Sequence, residues 1–257
     1  MRFGSYDPLV QVAPFERVLT FDGCFNLRDL GGYATADGRW TRPQRLYRAD
    51  GPHALTETDA ELLGALGLVT ILDLRTPEEV ARGCYSAVVP DVVEYHLPMV
   101  DVLPDATELE GWLDPAVVAL RYREMLEDGA ETIAEVLAIL SDPSAYPAMF
   151  HCSAGKDRTG IVAAVVLGIL KVPTDTIIAD YTLSGSSMPR LVDHYKRSYP
   201  DTIEHLSRVE PAIVAAHPRT IAGFVESLLC DYGTFDGYAE AMGVGSAARY
   251  VRDAMLT

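Results

Sequence analysis

One segment of the sequence brings together residue types that could carry out nucleophilic chemistry on a phosphate group. Residues 150–160 read FHCSAGKDRTG, so that Arg158 follows Cys152 by six positions. The segment lies between two apolar runs, Ala148–His151 and Ile161–Leu170, which predict a strand and a helix. A loop that enters a helix N-terminus directs several backbone N–H groups inward and forms a nest for an anion. The segment therefore predicts a phosphate-binding loop.

The same positive field would favour the thiolate of Cys152, which is the form that attacks phosphorus. Arg158 offers a planar fork that binds two phosphoryl oxygens, a contact that lysine cannot make. Thr159 can donate its hydroxyl to the Cys152 sulfur and help it to leave, whereas His151 is expected to order the loop. The residues expected to line the phosphate site are Ser153, Ala154, Gly155, Lys156 and Thr159.

The elements that must position this loop follow an α/β order. Leu68–Leu74 is nearly continuous and β-branched, as in a strand that is covered on both faces of a parallel sheet, and Val92–Leu97 is a shorter candidate. Between these strands, Thr76 opens a capping box that has proline at its first helical position. A further helix is predicted from Asp114-Pro115 to about Gly129. We therefore expect a central, mainly parallel sheet that is flanked by helices.

Composition and charge limit the kinds of protein that this chain could be. Its 257 residues are 49% hydrophobic and 23% charged, which is typical of one large globular domain or two small ones. The formal charge of −16 opposes binding to nucleic acid and to anionic membranes. The four scattered cysteines predict neither a disulfide scaffold nor a zinc site. No signal peptide or membrane span is recognised, which predicts a cytoplasmic protein without integral membrane contact.

No linker divides the sequence, so a single domain is predicted over residues 1–257. Residues 1–50 are expected to form an N-terminal β elaboration, with strands at Val18–Phe21 and Tyr33–Arg48 and a tight turn at Asp37-Gly38. Residues 172–257 are expected to be helical, because turn signals such as Tyr199-Pro200 separate apolar stretches there and no strand candidate remains.

The loop HCSAGKDRTG resembles the signature loop of the protein tyrosine phosphatase superfamily. Its Gly-Lys-Asp form is similar to the bacterial branch typified by mycobacterial protein tyrosine phosphatase B. Other segments resemble that branch in the same order, namely residues 26–33 (NLRDLGGY), 46–50 (LYRAD), 73–79 (DLRTPEE), 180–184 (DYTLS) and 232–250. The resemblance implies a phosphotyrosine-phosphatase fold of the dual-specificity type, a nucleophilic Cys152, and no metal or other cofactor. It also implies that the partner is a phosphorylated protein, through phosphotyrosine and sometimes phosphoserine or phosphothreonine, or a phosphoinositide. The oligomeric state stays open.

Two carboxylic acids could protonate the leaving group. Asp157 lies inside the loop, at the position that the resemblance implies for the acid of the mycobacterial branch. Asp101 follows the strand predicted at Val92–Leu97, where dual-specificity phosphatases carry their acid. Asp157 is favoured, although it could instead be an ion-pair partner of Lys156 or Arg28.

Further residues could support or cover the site. Asp73 and Arg75 end a strand beside that of Cys152, and could either orient the loop or form a structural salt bridge. The resemblance places Arg28, Asp29 and Arg48 in the same supporting group. The helical region 183–209 carries apolar residues that could form a lid or simply pack in the core, namely Met188, Leu191, Val192, Tyr195 and Tyr199.

Two other functions stay open at this stage. A sulfurtransferase of the rhodanese type also holds a reactive cysteine in an anion-binding loop, although the terminal Arg158-Thr159-Gly160 favours phosphate. A non-catalytic module that recognises phosphorylated partners would need the anion nest but not Cys152 together with Asp157.

Overall fold

The computed structural model describes residues 17–102, 112–198 and 215–257. The strands in this part of the chain are β1 (Arg28–Asp29), β2 (Leu46–Ala49), β3 (Thr70–Asp73), β4 (Val93–His96) and β5 (Ala148–His151). The helices are α1 (Glu57–Ala65), α2 (Pro77–Val80), α3 (Pro115–Asp128), α4 (Ala130–Leu140), α5 (Asp157–Ile169), α6 (Thr174–Ser198), α7 (Pro218–Tyr232), α8 (Phe235–Ala241) and α9 (Gly245–Met255). No helix among these residues is both long and apolar enough to cross a membrane.

The five strands form one sheet in the order β1-β2-β5-β3-β4. β1 is antiparallel to β2, and the other neighbours are parallel, which confirms the predicted sheet. β5 lies in the middle, with Phe150 level with Arg48 on one side and Leu72 on the other. All four residues of β5 are buried, as expected of a central strand that is covered on both faces.

Successive residues of the central strands point into two cores on opposite faces of the sheet. Leu72 and Phe150 belong to the larger core, which also contains residues of α3, α4, α5, α7, α8 and α9. Ile71 and Met149 belong to a smaller core with Leu63 of α1. In α5, every residue from Arg158 to Ile169 is buried, because this helix is apolar on all sides and packs inside the larger core.

The N-terminal region differs from its predicted form. Val18 forms only an isolated bridge with Arg28, so Val18–Phe21 is not a strand. The turn at Asp37-Gly38 is present, with Gly38 at a φ of 83° between the bridged residues Ala34 and Trp40. β2 pairs with β5 inside the main sheet rather than in a separate β unit. The position of β2 depends on its pairing with β5, and no local sequence pattern specifies that pairing.

Two further elements of the described chain differ from expectation. β4 lies at the edge of the sheet with Val93 51% exposed, so its apolar run does not reflect burial on both faces. α1 was not predicted, although Thr56 and Asp59 form a complete capping box at its start. The predicted break at Tyr199-Pro200 and the N-terminal residues 1–16 lie outside the described residues.

Candidate active site

The loop that the sequence marks for phosphate lies at the carboxyl edge of the central strand. β5 ends at His151, Cys152 follows, and α5 begins at Asp157. His151 is level with Ala49 of β2 and with Asp73 of β3. Because the carboxyl ends of parallel strands share one edge, the residues that follow all three strands surround the loop.

The carbonyl groups of the loop are bonded outward to the surrounding scaffold. Those of Ser153, Ala154 and Gly155 each accept a hydrogen bond from outside the loop. The bonds are Gly51 N (3.0 Å) and His53 Nε2 (2.6 Å) to Ser153 O, Asn26 Nδ2 to Ala154 O (3.0 Å), and Arg48 Nη2 to Gly155 O (2.8 Å). In a trans peptide, the N–H points away from the carbonyl oxygen of the same unit, so these bonds direct the following N–H groups toward the centre of the loop. This arrangement is that of an anion-binding nest.

Gly155 allows the loop to lie directly against β2. Its φ is +64°, and an added Cβ atom would lie 2.5 Å from the carbonyl oxygen of Ala49. That oxygen belongs to the backbone of a central strand and cannot move aside cheaply. Residue 155 therefore has to be glycine for both conformational and steric reasons.

Arg158, in the first turn of α5, is held by a carboxylate from α2. Its Nη1 and Nη2 atoms donate to Glu79 Oε2 at 2.6 Å and to Oε1 at 2.8 Å. Burial alone would lower the pKa of Arg158, but the hydrogen bonds and charge of Glu79 raise it. Burial would also raise the pKa of Glu79, whereas Arg158 lowers it to about 2. Both groups are therefore charged at neutral pH, and the guanidinium is fixed in one orientation.

The N-terminus of α2 in turn fixes Glu79. Thr76 N donates to Glu79 Oε2 at 2.8 Å, and Glu79 N donates to Thr76 Oγ1 at 3.3 Å, which completes the predicted capping box. Arg75 makes a bidentate pair with Asp73 and donates to the carbonyls of Glu79 and Gly83. Asp73 and Arg75 thus form a salt bridge that supports α2 behind the loop.

Asp157 and Lys156 lie together at the start of α5. Asp157 Oδ1 accepts a hydrogen bond of 2.5 Å from the hydroxyl of Tyr122, and Lys156 Nζ lies 3.5 Å from the same oxygen. The sequence left Lys156 and Arg28 open as ion-pair partners of Asp157. The structure pairs Asp157 with Lys156, whereas Arg28 pairs with another carboxylate. Asp101 lies exposed beyond β4.

The Lys156 side chain is buried beside a cavity of about 100 Å³. Its Nζ atom also approaches the carbonyl of Ala215 at 3.5 Å. The described residues that line this cavity, with Lys156, are Trp112, Leu113, Pro115, Val118, Ala215, His217 and Thr220. The ammonium therefore lies at the junction of the loop and an otherwise mainly apolar pocket.

A sequence profile described as the tyrosine phosphatase family matches residues 19–257. The chain belongs to the tyrosine phosphatase family. This confirms both the superfamily that the loop resembles and the predicted enzyme class, since members of the family are cysteine-dependent hydrolases.

Two relatives that are named phosphatases agree with this assignment. A Cupriavidus necator protein that is named as a tyrosine-protein phosphatase is 37% identical over 183 residues. The match covers 65% of this chain and 63% of that protein. The triple specificity protein phosphatase PtpB of Mycobacterium tuberculosis is 27% identical over 265 residues, with 88% of this chain and 94% of PtpB covered. The chain thus spans less than two thirds of the Cupriavidus protein. Among solved structures, the core catalytic domain of the PP-IP phosphatase SIW14 from S. cerevisiae, in complex with citrate, matches with 17% identity and a TM-score of 0.37 over 71% of this chain and 93% of that one.

In this member of the tyrosine phosphatase family, a buried aspartate in α6 connects the two arginines that support the loop. Asp180 Oδ1 accepts from Arg28 Nε at 2.9 Å and from the Tyr33 hydroxyl at 3.0 Å, and Oδ2 accepts from Arg48 Nη1 at 2.6 Å. Burial would raise the pKa of Asp180, but the two arginines hold it well below its usual range. Arg48 continues to the carbonyl of Gly155. The supporting role expected of Arg28 and Arg48 thus depends on Asp180.

Arg28 also reaches the loop through a second residue. Its Nη1 atom donates to Asn26 Oδ1 at 2.6 Å, and Asn26 Nδ2 donates to the carbonyl of Ala154. Asp29, by contrast, is used in a turn, where its carboxylate accepts from the backbone of Gly31 and Gln44. Arg28 therefore supports the loop, whereas Asp29 holds the chain that leads into β2.

The second half of α6 lies over the loop. The ring of Tyr195 packs edge-on against His53 at 5.2 Å, and its hydroxyl interacts with the Ser153 side chain. Burial raises the pKa of Tyr195 to about 12, so this hydroxyl stays protonated. Cys152, the residue before Ser153, is only 1% exposed. Of the other residues expected in a lid, Met188, Leu191 and Val192 are buried, and Tyr199 lies outside the described residues.

Two polar side chains of the signature loop, those of Thr159 and His151, each have a buried atom without a hydrogen bond in the described chain. The Thr159 hydroxyl is buried and makes no hydrogen bond within the described chain, so the predicted bond to the Cys152 sulfur is not present. His151 Nδ1 lies 3.3 Å from the carbonyl of Cys152, consistent with an ordering role. Its Nε2 atom faces Asp73 and Glu94 at 3.7 and 3.9 Å without a hydrogen bond.

His151, Asp73 and Glu94 are also the described residues whose donor atoms come close enough together to suit a metal ion. Asp73 already binds Arg75 through both oxygens, and Glu94 accepts from the backbone of Tyr85 and Ser86. The oxygen atoms of both carboxylates therefore already accept hydrogen bonds from the protein, which leaves few lone pairs for a metal ion.

Several residues that position the loop were not predicted as part of the site, namely Asn26, His53, Glu79, Tyr122 and Asp180. Glu79 belongs to a recognised capping box, and Asn26 and Asp180 begin two segments that resemble the family. Those three could have been found by asking which charged or amide side chains of these segments face the loop. His53 and Tyr122 carry no local signal.

Proposed function

We propose that this protein hydrolyses phosphate monoesters through a phosphocysteine formed on Cys152. The observation that carries the proposal is the combination of outward-bonded carbonyls at Ser153 to Gly155 with an Arg158 guanidinium clamped by Glu79 at the same loop. A nest of this kind binds a phosphate dianion and favours a thiolate beside it. The backbone N–H groups of Ala154, Gly155 and Lys156, which follow these carbonyls, would then face the phosphate, and Ser153 stays a predicted lining residue of the loop.

The reaction takes two displacements at phosphorus. The Cys152 thiolate forms the sulfur–phosphorus bond while the ester oxygen leaves, and Asp157 gives its proton to that oxygen. Water then attacks phosphorus, the sulfur–phosphorus bond breaks, and the Asp157 carboxylate takes the proton from water. Arg158 binds the phosphoryl oxygens throughout, and its contact is strongest where negative charge spreads over them. The buried Thr159 hydroxyl, which makes no hydrogen bond within the described chain, is the proposed donor to the leaving thiolate.

Phosphotyrosine is the proposed principal substrate, with phosphoserine, phosphothreonine and phosphoinositides as further substrates. The family description and the name of PtpB, a triple specificity phosphatase, support this choice. The buried Lys156 beside the cavity offers a positive charge for a second anionic group of a phosphoinositide. The formal charge of −16 argues for a substrate captured at this local site rather than through the surface as a whole. A cytoplasmic location stays a prediction.

An assay with three substrates tests the proposed activity against its alternatives. We expect phosphate release from para-nitrophenyl phosphate without added metal, and inhibition by vanadate, because an oxyanion should occupy the nest. Formation of thiocyanate from thiosulfate and cyanide would instead indicate a sulfurtransferase. Binding of a phosphotyrosine peptide without turnover of any substrate would indicate a non-catalytic module.

The choice of general acid gives a separate prediction. Asp157→Asn is expected to lower kcat on a phosphotyrosine peptide by about 10²-fold and to remove the fall in kcat at high pH, because the amide cannot give up a proton. Asp101→Asn serves as the matched control, since its side chain is exposed beyond β4. The pH profile of kcat measured for both variants decides between them. A normal high-pH limb in Asp157→Asn together with its loss in Asp101→Asn would reverse the assignment.

A further inference from the structure

Two buried tyrosines form a hydrogen-bonded chain that ends on Asp157. Tyr122 of α3 donates to Asp157 Oδ1 at 2.5 Å, and its oxygen lies 2.7 Å from the hydroxyl of Tyr181 of α6. Tyr122 has a single hydroxyl hydrogen and uses it in the hydrogen bond to the carboxylate. Tyr181 must therefore be the donor in the hydrogen bond between the two tyrosines. The two side chains are 0% and 1% exposed, and their rings pack edge-on. The chain therefore runs in one direction, from Tyr181 through Tyr122 to Asp157.

We propose that Tyr122 and Tyr181 are positioning residues that orient the Asp157 carboxyl group and stabilise its negative charge as it gives up its proton. This inference rests on the proposed role of Asp157 as the general acid. With Oδ1 bound to Tyr122, the proton to be transferred resides on Oδ2, which is left to face the leaving group. The hydrogen bond from Tyr122 strengthens as the carboxylate forms, which is the point in the reaction where stabilisation increases the rate.

The electrostatic surroundings suit this role. Burial and the nearby Asp157 charge raise the pKa of Tyr122 well above its ordinary value, and burial followed by the same charge raises that of Tyr181, so both remain donors at neutral pH. Two cations also interact with Asp157, namely Lys156, whose Nζ lies 3.5 Å from Oδ1, and Arg158, the next residue in sequence. The two cations stabilise the negative charge of Asp157, whereas the two tyrosines orient its carboxyl group.

The test compares Tyr122→Phe with wild-type protein on two substrates. We expect kcat to fall about tenfold on a phosphoserine peptide, whose alkoxide leaving group needs the proton, and to change little on para-nitrophenyl phosphate. The high-pH limb of kcat on a phosphotyrosine peptide should move upward by about one pH unit, because the carboxyl group loses a charge-stabilising donor. Tyr181→Phe should move it in the same direction by less.

Tyr146→Phe is the matched control, since this buried tyrosine donates to the carbonyl of Leu140 and its loss should leave the limb in place. A merely structural role for Tyr122 would lower the melting temperature and leave the limb unmoved. An unmoved limb in both Tyr122→Phe and Tyr181→Phe overturns the inference, while Asp157→Asn still tests the acid itself. A normal limb in Asp157→Asn overturns both.

Discussion

Replacing Cys152 with serine is expected to lower kcat on para-nitrophenyl phosphate by roughly 10⁴-fold or more, the scale on which loss of a nucleophile acts. A serine hydroxyl is a far weaker acid than a thiol and keeps its proton at neutral pH, so it is a poor nucleophile toward phosphorus. The backbone nest and Arg158 are unchanged in the variant. We therefore expect phosphate to bind with about wild-type affinity while turnover is lost.

Steady-state rates, phosphate binding by calorimetry and acid quenching with a labelled substrate test this prediction together. Wild-type protein should carry label on Cys152, and Cys152→Ser should carry none. Cys230→Ser, at the exposed cysteine of α7, is the control and should keep full activity. Substantial turnover by Cys152→Ser, or label on another residue, would place the nucleophile elsewhere.

The central part of the site could be predicted because its determinants are local. The strand Ala148–His151, the loop and the start of α5 are consecutive, and their order alone places Cys152 at a helix N-terminus. Gly155 marks the tight approach to β2, and its backbone conformation shows why no larger residue would fit. Chemistry that depends on neighbours along the chain can be inferred from residue types and spacing.

The contacts that hold the loop could not be inferred in the same way. Glu79 and Arg158 are 79 positions apart, and Arg28 and Asp180 are 152 positions apart. Such pairs form only after the strands have assembled, and a buried carboxylate looks like a solvated one in the sequence. The sequence assigns Arg48 only a general supporting role. Its specific role becomes clear once its partners, Asp180 and the carbonyl of Gly155, are known.

Replacing Arg158 with lysine is expected to lower kcat/KM on a phosphotyrosine peptide by about 10³-fold. Two of the five N–H hydrogens of Arg158 point at Glu79, and a third faces the carbonyl of Leu74 at 3.4 Å. Within the described chain, Nε and the second Nη2 hydrogen are left on one edge for two phosphoryl oxygens. A lysine has the same charge but cannot make both contacts and keep the Glu79 pair, so a donor to the developing charge is lost.

The clamp on Arg158 should therefore matter even though Glu79 itself repels phosphate. Glu79→Gln removes one charge of the pair and is expected to lower kcat/KM by about tenfold or more, because a loosened guanidinium loses its preorganised geometry. Glu78→Gln, on the exposed neighbour in the same helix turn, removes an equal charge and should have little effect. Steady-state kinetics at several salt concentrations separate the two mechanisms. If the net charge near the loop were decisive, both variants would bind phosphate more tightly and work at least as fast; if orientation is decisive, only Glu79→Gln loses rate.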